Sequence, residues 1–394
     1  MYRGARPSVP GRPSLGEHAA VKPSPPCSPA AVGCLLATLS LMAPLTLGQS
    51  MDFELYDPPS TLVVPETQVT RAVYPFVDVH NHQWSMATQD LDALAAEMDE
   101  LNMAVMVNLS GRSGDGSEAT LLNSLANVKA NQPSRFLVFT NISFGGIDDP
   151  GWGERTAQQV RSDVAAGAAG LKIYKNLGLT TTDASGERVA VDDPRIDPVW
   201  AVCGELGVPV LIHSGEPAAF WLPRDENNER WLELKQKPGR YRDPALFPSW
   251  EQIMGEHWNL FDKHPQTRFI SAHMGWLAND LQRLGDLLDA HPNVSTEIGA
   301  VLAELGRQPR FANEWFIAHQ DQVLFGKDSW NPEEYFVYFR CLETDDDYIR
   351  YYRRRHAFWR LYGLDLPDAV LRKVYYGNAL RLFPQIDRSL FPQD

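Results

Sequence analysis

The sequence predicts a (β/α)8 barrel, and three observations carry that expectation. Apolar runs of strand length alternate with amphipathic stretches of helix length from residue 76 towards the C-terminus. Eight strand-then-helix units can be read in this way. His80, His213, His273 and Asp328 stand at the C-terminal ends of the first, fifth, sixth and eighth strands. In a barrel these ends ring one mouth, where barrel enzymes keep their chemistry. A doubly wound sheet shows the same alternation, but it would string the four ends along a row.

The chain has 394 residues, 44% hydrophobic and 22% charged, a balance that suits a globular protein with a substantial core. Its formal net charge of -14 opposes binding to nucleic acid or to an anionic lipid surface, so a small-molecule substrate is expected. Residues 1–29 are rich in Pro, Ser and Gly and carry Arg3, Arg6, Arg12 and Lys22 against the single acid Glu17. The apolar run AAVGCLLATLSLMAPLTLG follows at 30–48, with small residues near Gly48 to Ser50. This reads as a secretory signal over 1–50, which implies an exported, periplasmic or secreted protein. Gly33, Pro44 and several hydroxyl residues weaken the run as a membrane helix, so no stable span is expected in the mature chain. Initiation at Met51 would instead give a cytoplasmic protein. Cys27 and Cys34 fall in the leader, which leaves Cys203 and Cys341 in the body, too few for a disulfide framework or a cysteine zinc site. Any metal must be held by His, Asp or Glu.

An extended lead-in over 51–70 precedes the barrel domain at 71–394. The expected strands are 76–80 (FVDVH), 103–108 (MAVMVN), 136–142 (FLVFTNI), 170–174 (GLKIY), 208–213 (VPVLIH), 268–273 (RFISAH), 293–298 (NVSTEI) and 323–328 (VLFGKD). Helical patterns fall at 88–101, 117–131, 154–167, 196–206, 249–264, 278–290 and 310–319. Two connections, 175–195 and 214–248, are too long for simple βα loops and are expected to overhang the mouth. Residues 345–363 and 374–383 read as added helices on the barrel, with Arg353, Arg354 and Arg355 on a solvated face.

The first strand ends in His80-Asn81-His82. Side chains alternate along a strand, so the two histidines share one face and form a two-nitrogen claw. Two nitrogens leave a metal site half built, and the remaining ligands must come from other strands. The segments DVHNH, LIHSGEP, ISAHMGW and LFGKDSW, with the late YYGNALRLF, resemble the amidohydrolase superfamily over about residues 71–384. They are most similar to the amidohydrolase-related (amidohydrolase 2) branch that includes the aminocarboxymuconate-semialdehyde decarboxylase type. The resemblance implies one divalent metal held by His80, His82, His213 and Asp328, with His273 beside it as acid and base. Three imidazoles and one carboxylate suit Zn2+ first and are compatible with Mn2+ or Fe2+. Asp328 or His273 then accepts a proton from the activated water.

Asp78 shares the inward face of His80, where an unpaired carboxylate is costly, so it either orients a ligand or closes a hydrogen-bond network. Lys172 is expected to be a structural or substrate-orienting cation. In binuclear relatives a carboxylated lysine at this strand bridges two metals, and His213 and His273 then bind the second. Glu216, Trp221, Glu297 and Arg307 lie on loops near the expected mouth. Any of them is a candidate substrate contact, Glu216, Trp221 and Arg307 foremost, Arg307 for a carboxylate. His257, His264, His291, His319 and His356 read as structural. The expected reaction is hydrolysis of a C–N or C–O bond of a small molecule. Nonoxidative decarboxylation of an unsaturated or aromatic acid is the alternative, followed by a noncatalytic metal- or ligand-binding barrel. The leader generates the first prediction: N-terminal sequencing of protein from its native host should find the first 50 or so residues removed. An intact Met1 or Met51 on soluble cytosolic protein would contradict export.

Overall fold

A computed structural model describes residues 51–112 and 117–393, so the expected leader, with Cys27 and Cys34, lies outside the described residues. The strand segments are β1 (Phe76–Asn81), β2 (Met103–Asn108), β3 (Phe136–Val138), β4 (Thr140–Asn141), β5 (Leu171–Ile173), β6 (Val210–Ile212), β7 (Phe269–Ser271), β8 (Val294–Glu297) and β9 (Val323–Leu324). Every pairing between them is parallel, and almost every residue in them is buried, as a sheet with helices on its outer face and a filled barrel interior on the other requires.

The segments form two runs, β1-β2-β3 and β4 through β9. The third expected strand is interrupted at Phe139, whose buried ring packs against Phe383. The backbone carries the ladder through this break: Phe139 N donates to Asn108 O at 2.9 Å and Thr140 N to Gly170 O at 2.8 Å. At the other seam Val79 N donates to Phe325 O at 3.0 Å and Asp328 N to His80 O at 2.6 Å. The first stave thus meets the last, and the molecule is a (β/α)8 barrel.

The helices α1 (Leu91–Leu101), α2 (Glu118–Asn131), α3 (Trp152–Ala166) and α4 (Asp197–Leu206) alternate with the strands as expected. The long loop after β6 contains the short α5 (Trp231–Gln236), and α6 (Trp250–Lys263) and α7 (Leu281–Ala290) flank β7. Asp90, Ser249 and Asp280 cap α1, α6 and α7 by accepting backbone N–H groups of the first turn. Beyond β8 come α8 (Leu302–Leu305) and α9 (Pro309–Ala318), then α10 (Pro332–Glu343), α11 (Asp368–Arg372) and α12 (Asn378–Leu382). No helix among the described residues is long and apolar enough to cross a membrane.

The helix expected over 345–363 is not formed. A helix of that length would hold its ends about 28 Å apart. Here Gly363 N donates to Asp346 O at 2.8 Å and Asp365 N to Thr344 O at 2.9 Å, so the segment returns on itself. Ile349 and Leu361 exchange backbone hydrogen bonds at 2.7 and 2.8 Å, and only Arg354–His356 makes a helical turn. Arg353 consequently faces inward rather than into solvent, donating to Glu334 and Ser329.

Two glycines shape the top of the barrel. A Cβ on Gly326 would lie 2.5 Å from Glu297 Oε2 and 3.0 Å from His80 Cβ, and one on Gly299 2.6 Å from the same carboxylate oxygen. The Glu297 side chain fills the space that these residues leave. Gly326→Ala is therefore expected to destabilise the protein by about 1–3 kcal/mol, the usual cost of overpacking, read by urea unfolding. Unchanged stability would show that Glu297 can move aside.

Candidate metal centre

Strand ends scattered over 249 positions converge at the mouth. His80 Nε2 lies 3.4 Å and His82 Nε2 3.8 Å from Asp328 Oδ1. The His273 ring is centred 4.8 Å from that of His80 and 4.4 Å from that of His213. Among the described residues, His80, His273 and Asp328 offer ligand atoms all within 4.8 Å of one another. His82 and His213 flank this group, and Lys172 Nζ closes it from β5, 3.5 Å from His80 Nε2.

Glu297, at the end of β8, decides which way the histidines face. Its Oε1 lies 2.9 Å from His80 Nδ1 and accepts the His273 backbone N–H at 2.6 Å, while Oε2 accepts Gly299 N–H at 2.5 Å. A carboxylate at that distance fixes the proton on His80 Nδ1, so Nε2 carries a lone pair into the mouth. That lone pair faces Asp328 Oδ1, which is another acceptor. His213 Nε2 is inaccessible and has no hydrogen-bond partner. Acceptors facing acceptors in a buried site repel each other, and an unsatisfied buried nitrogen costs about 1–3 kcal/mol. A cation among them removes both penalties, so these residues fit a divalent metal.

The electrostatics agree. Burial, with Lys172 and the neighbouring histidines, holds the pKa of His80 and of His213 well below the ordinary imidazole value, and that of His82 down to about 4. All three rings are neutral near pH 7, the state a metal ligand needs. Burial works against the charge of Asp328, and the positive charge that His80, His273, His82 and Lys172 can carry outweighs it and keeps the carboxyl below its ordinary value. Burial lowers Lys172 to about 7 against the pull of Asp328 and Glu297.

The remaining side chains hold these in place. Ser110 Oγ lies 2.6 Å from His82 Nδ1 and 3.1 Å from Tyr174 Oη. The His82 ring stacks on Trp84 at 5.2 Å. Neither Ser110 nor Tyr174 was marked in the sequence, where a loop serine and a strand-end tyrosine carry no pattern. Asp78 closes a network: it accepts His80 N–H at 3.0 Å, Lys327 N–H at 3.2 Å, Asn81 Nδ2 at 2.9 Å and Tyr335 O–H at 2.6 Å. Burial nevertheless raises its pKa to about 6. Residues 273–276 all have positive φ, at 56, 53, 56 and 55°, a conformation that suits only Gly275 among them. His273 Nδ1 meets Gly299 O at 2.7 Å, so a neutral ring presents Nε2 as the acceptor.

A cavity of about 80 Å³ opens above His273 and Asp328, bounded by Lys175, Glu216, Phe220, Arg240, Trp276 and Arg353 among others. Glu216 is part of this wall, but its Oε1 already receives Lys175 Nζ at 2.6 Å and Arg242 Nη2 at 2.9 Å. Trp221 is buried with its Nε1 donating to Pro248 O, and its neighbour Phe220 faces the cavity instead. Arg307 is paired in fork geometry with Glu229 at 2.8 and 2.9 Å and lies over the Trp359 ring. It is thus not part of the cavity wall. His356, read as remote from the mouth, lines the cavity beside Glu233, because its segment folds back rather than continuing as a helix. Glu297, expected on a mouth loop, is buried beneath the histidines.

No curated protein sequence matches the chain. Among solved structures, it is similar to a dihydroxybenzoic acid decarboxylase from Polaromonas sp. JS666 with bound manganese and the inhibitor 2-nitroresorcinol, at 16% identity and a TM-score of 0.49, covering 81% of this chain and 99% of that one. It is also similar to the 2,6-dihydroxybenzoate decarboxylase from Rhizobium, at 17% identity and a TM-score of 0.48, covering 79% and 99%. An amidohydrolase from Burkholderia multivorans follows at 15% identity and a TM-score of 0.45, covering 78% and 99%. Residues 77–385 match the family model described as Amidohydrolase, so the chain belongs to the amidohydrolase family of metal-dependent enzymes.

Proposed function

We propose that the protein is an exported hydrolase that cleaves a C–N or C–O bond of a small molecule. His80, His82, His213 and Asp328 would hold one divalent metal, with Zn2+ the first choice for this donor set and Mn2+ or Fe2+ compatible with it. A divalent metal bound there supplies Lewis-acid polarisation of the scissile group and lowers the pKa of water. The observation that carries the reading is the proton economy of the mouth. Asp328, its side chain 35% exposed, and His273 Nε2 both face the cavity as acceptors, and hydrolysis begins with a proton leaving water.

In this reading Asp328 takes the first proton, since it is ionised and open to the cavity. His273 is held by its Nδ1 contact to Gly299 O and by the indole of Trp276, centred 4.6 Å from its ring. Its Nε2 is then placed to receive that proton from Asp328 and pass it to the departing nitrogen or oxygen. Lys172 has no carboxylate partner within hydrogen-bond reach among the described residues and serves as an orienting cation beside His80.

Two experiments test this. Turnover in oxygen-18 water should label a product carboxylate or alcohol. Stoichiometric carbon dioxide release without label would replace the reading with decarboxylation. His213→Ala should lower metal content and activity together, whereas His273→Asn should keep the metal and slow turnover by about 10²- to 10⁴-fold, the usual worth of a general acid or base. Equal metal loss in both variants would make His273 a ligand.

A further inference from the structure

The wall of the cavity opposite the metal-binding floor is built from carboxylates that are each shared by more than one cation. Glu216 Oε1 receives both Lys175 and Arg242. Glu233 receives Arg230 at 2.9 Å and also Arg240. Behind the wall, Glu334 Oε2 receives the buried Lys327 at 2.5 Å and Arg353 at 3.0 Å. Among the described residues that line the cavity, Lys175, Arg230, Arg240 and Arg353 are cations, and Glu216 and Glu233 are the acids of the wall. Asp328 belongs to the floor. The upper wall therefore carries more positive than negative charge, in a chain whose net charge is -14.

That excess faces the substrate space. Lys175, Arg240 and Arg353 line the cavity from three different elements, with side chains 45%, 39% and 22% exposed. Arg353 also lines a second hollow of about 580 Å³ with Arg354, Arg355 and Glu334. Arg353 uses Nε and Nη2 for Glu334 and Ser329. Placing unlike charges against a wall of this kind is favourable, and a positively lined funnel draws anions inward.

We infer that the substrate carries an anionic group, a carboxylate by chemistry and size, at the end remote from the reacting bond, and that Lys175, Arg240 and Arg353 grip it. The inference rests on the metal-hydrolase reading for the position of the reacting end. The three cations are specificity-determining residues: they set which small molecules enter, and Asp328 and His273 act on what is held.

Calorimetric titration of the metal-loaded protein at low ionic strength tests this with acids of matched carbon number, succinate against butyrate and glutarate against valerate. At least one diacid should bind about tenfold or more tightly than its monoacid, the worth of one charge-assisted contact. The ratio should fall to about threefold or less in Arg353→Met and in Lys175→Met. Among the described residues Lys175 makes only the Glu216 ion pair, so its variant decides the matter if Arg353→Met disturbs the fold. Equal binding of diacids and monoacids by the native protein, or a ratio untouched in Lys175→Met, would overturn the inference. A diacid preference in protein that elemental analysis finds unable to hold metal would support the anion wall while removing the hydrolase reading. Bound metal without that preference would do the reverse.

Discussion

The hydrogen bond between His80 Nδ1 and Glu297 is the contact on which the site depends. It joins the first stave to the seventh and leaves His80 Nε2 without a proton. The same carboxylate accepts the His273 N–H, so it also locks the sixth stave to the other two. A buried carboxylate with no hydrogen bonds would be costly, and the contacts from His80, His273 and Gly299 offset that cost. With Nδ1 committed, the His80 Nε2 lone pair faces Asp328 Oδ1, and among the described residues Lys172 Nζ, 3.5 Å away, is its hydrogen-bond partner. The preference for a cation follows from that arrangement of protons.

The placement of His273 depends on the same residue. Three non-glycine side chains in a left-handed run cost roughly 1–2 kcal/mol each, so the turn persists only where other contacts impose it. Glu297 holds the His273 N–H, Gly299 O holds its ring, and Leu277 N closes the turn on Met274 O at 3.0 Å. Strain of this kind, kept next to a cavity, turns the His273 ring towards the substrate space when a regular strand would have carried it past the mouth.

Much of the architecture was legible in the sequence because it rests on local periodicity. The eight staves follow from apolar runs of strand length, and the convergence of His80, His213, His273 and Asp328 follows from their places at strand ends once the sheet is closed. The break at Phe139 was not legible, since it depends on a ring finding Phe383 far along the chain. Residues 345–363 look helical by composition, but the contacts of Gly363 and Asp365 with Asp346 and Thr344 override that preference. Arg307 and Glu216 were plausible substrate contacts by position. Their partners, Glu229 and the pair Lys175 and Arg242, lie 26 to 78 residues away, a separation over which sequence pattern carries no pairing signal. Glu297 had the right address and an unforeseen role, because the burial that makes it a support for His80 comes from Gly299 and Gly326.

The most direct measurement of the central claim is an anomalous difference map from crystals of metal-loaded protein, recorded at the absorption edge of the bound metal. The account predicts a single peak per chain, within coordination distance of His80 Nε2, His82 Nε2, His213 Nε2 and Asp328 and on the side of the His80 ring away from Glu297. Two peaks bridged by a carboxylated Lys172, or a peak bound through His80 Nδ1, would contradict it.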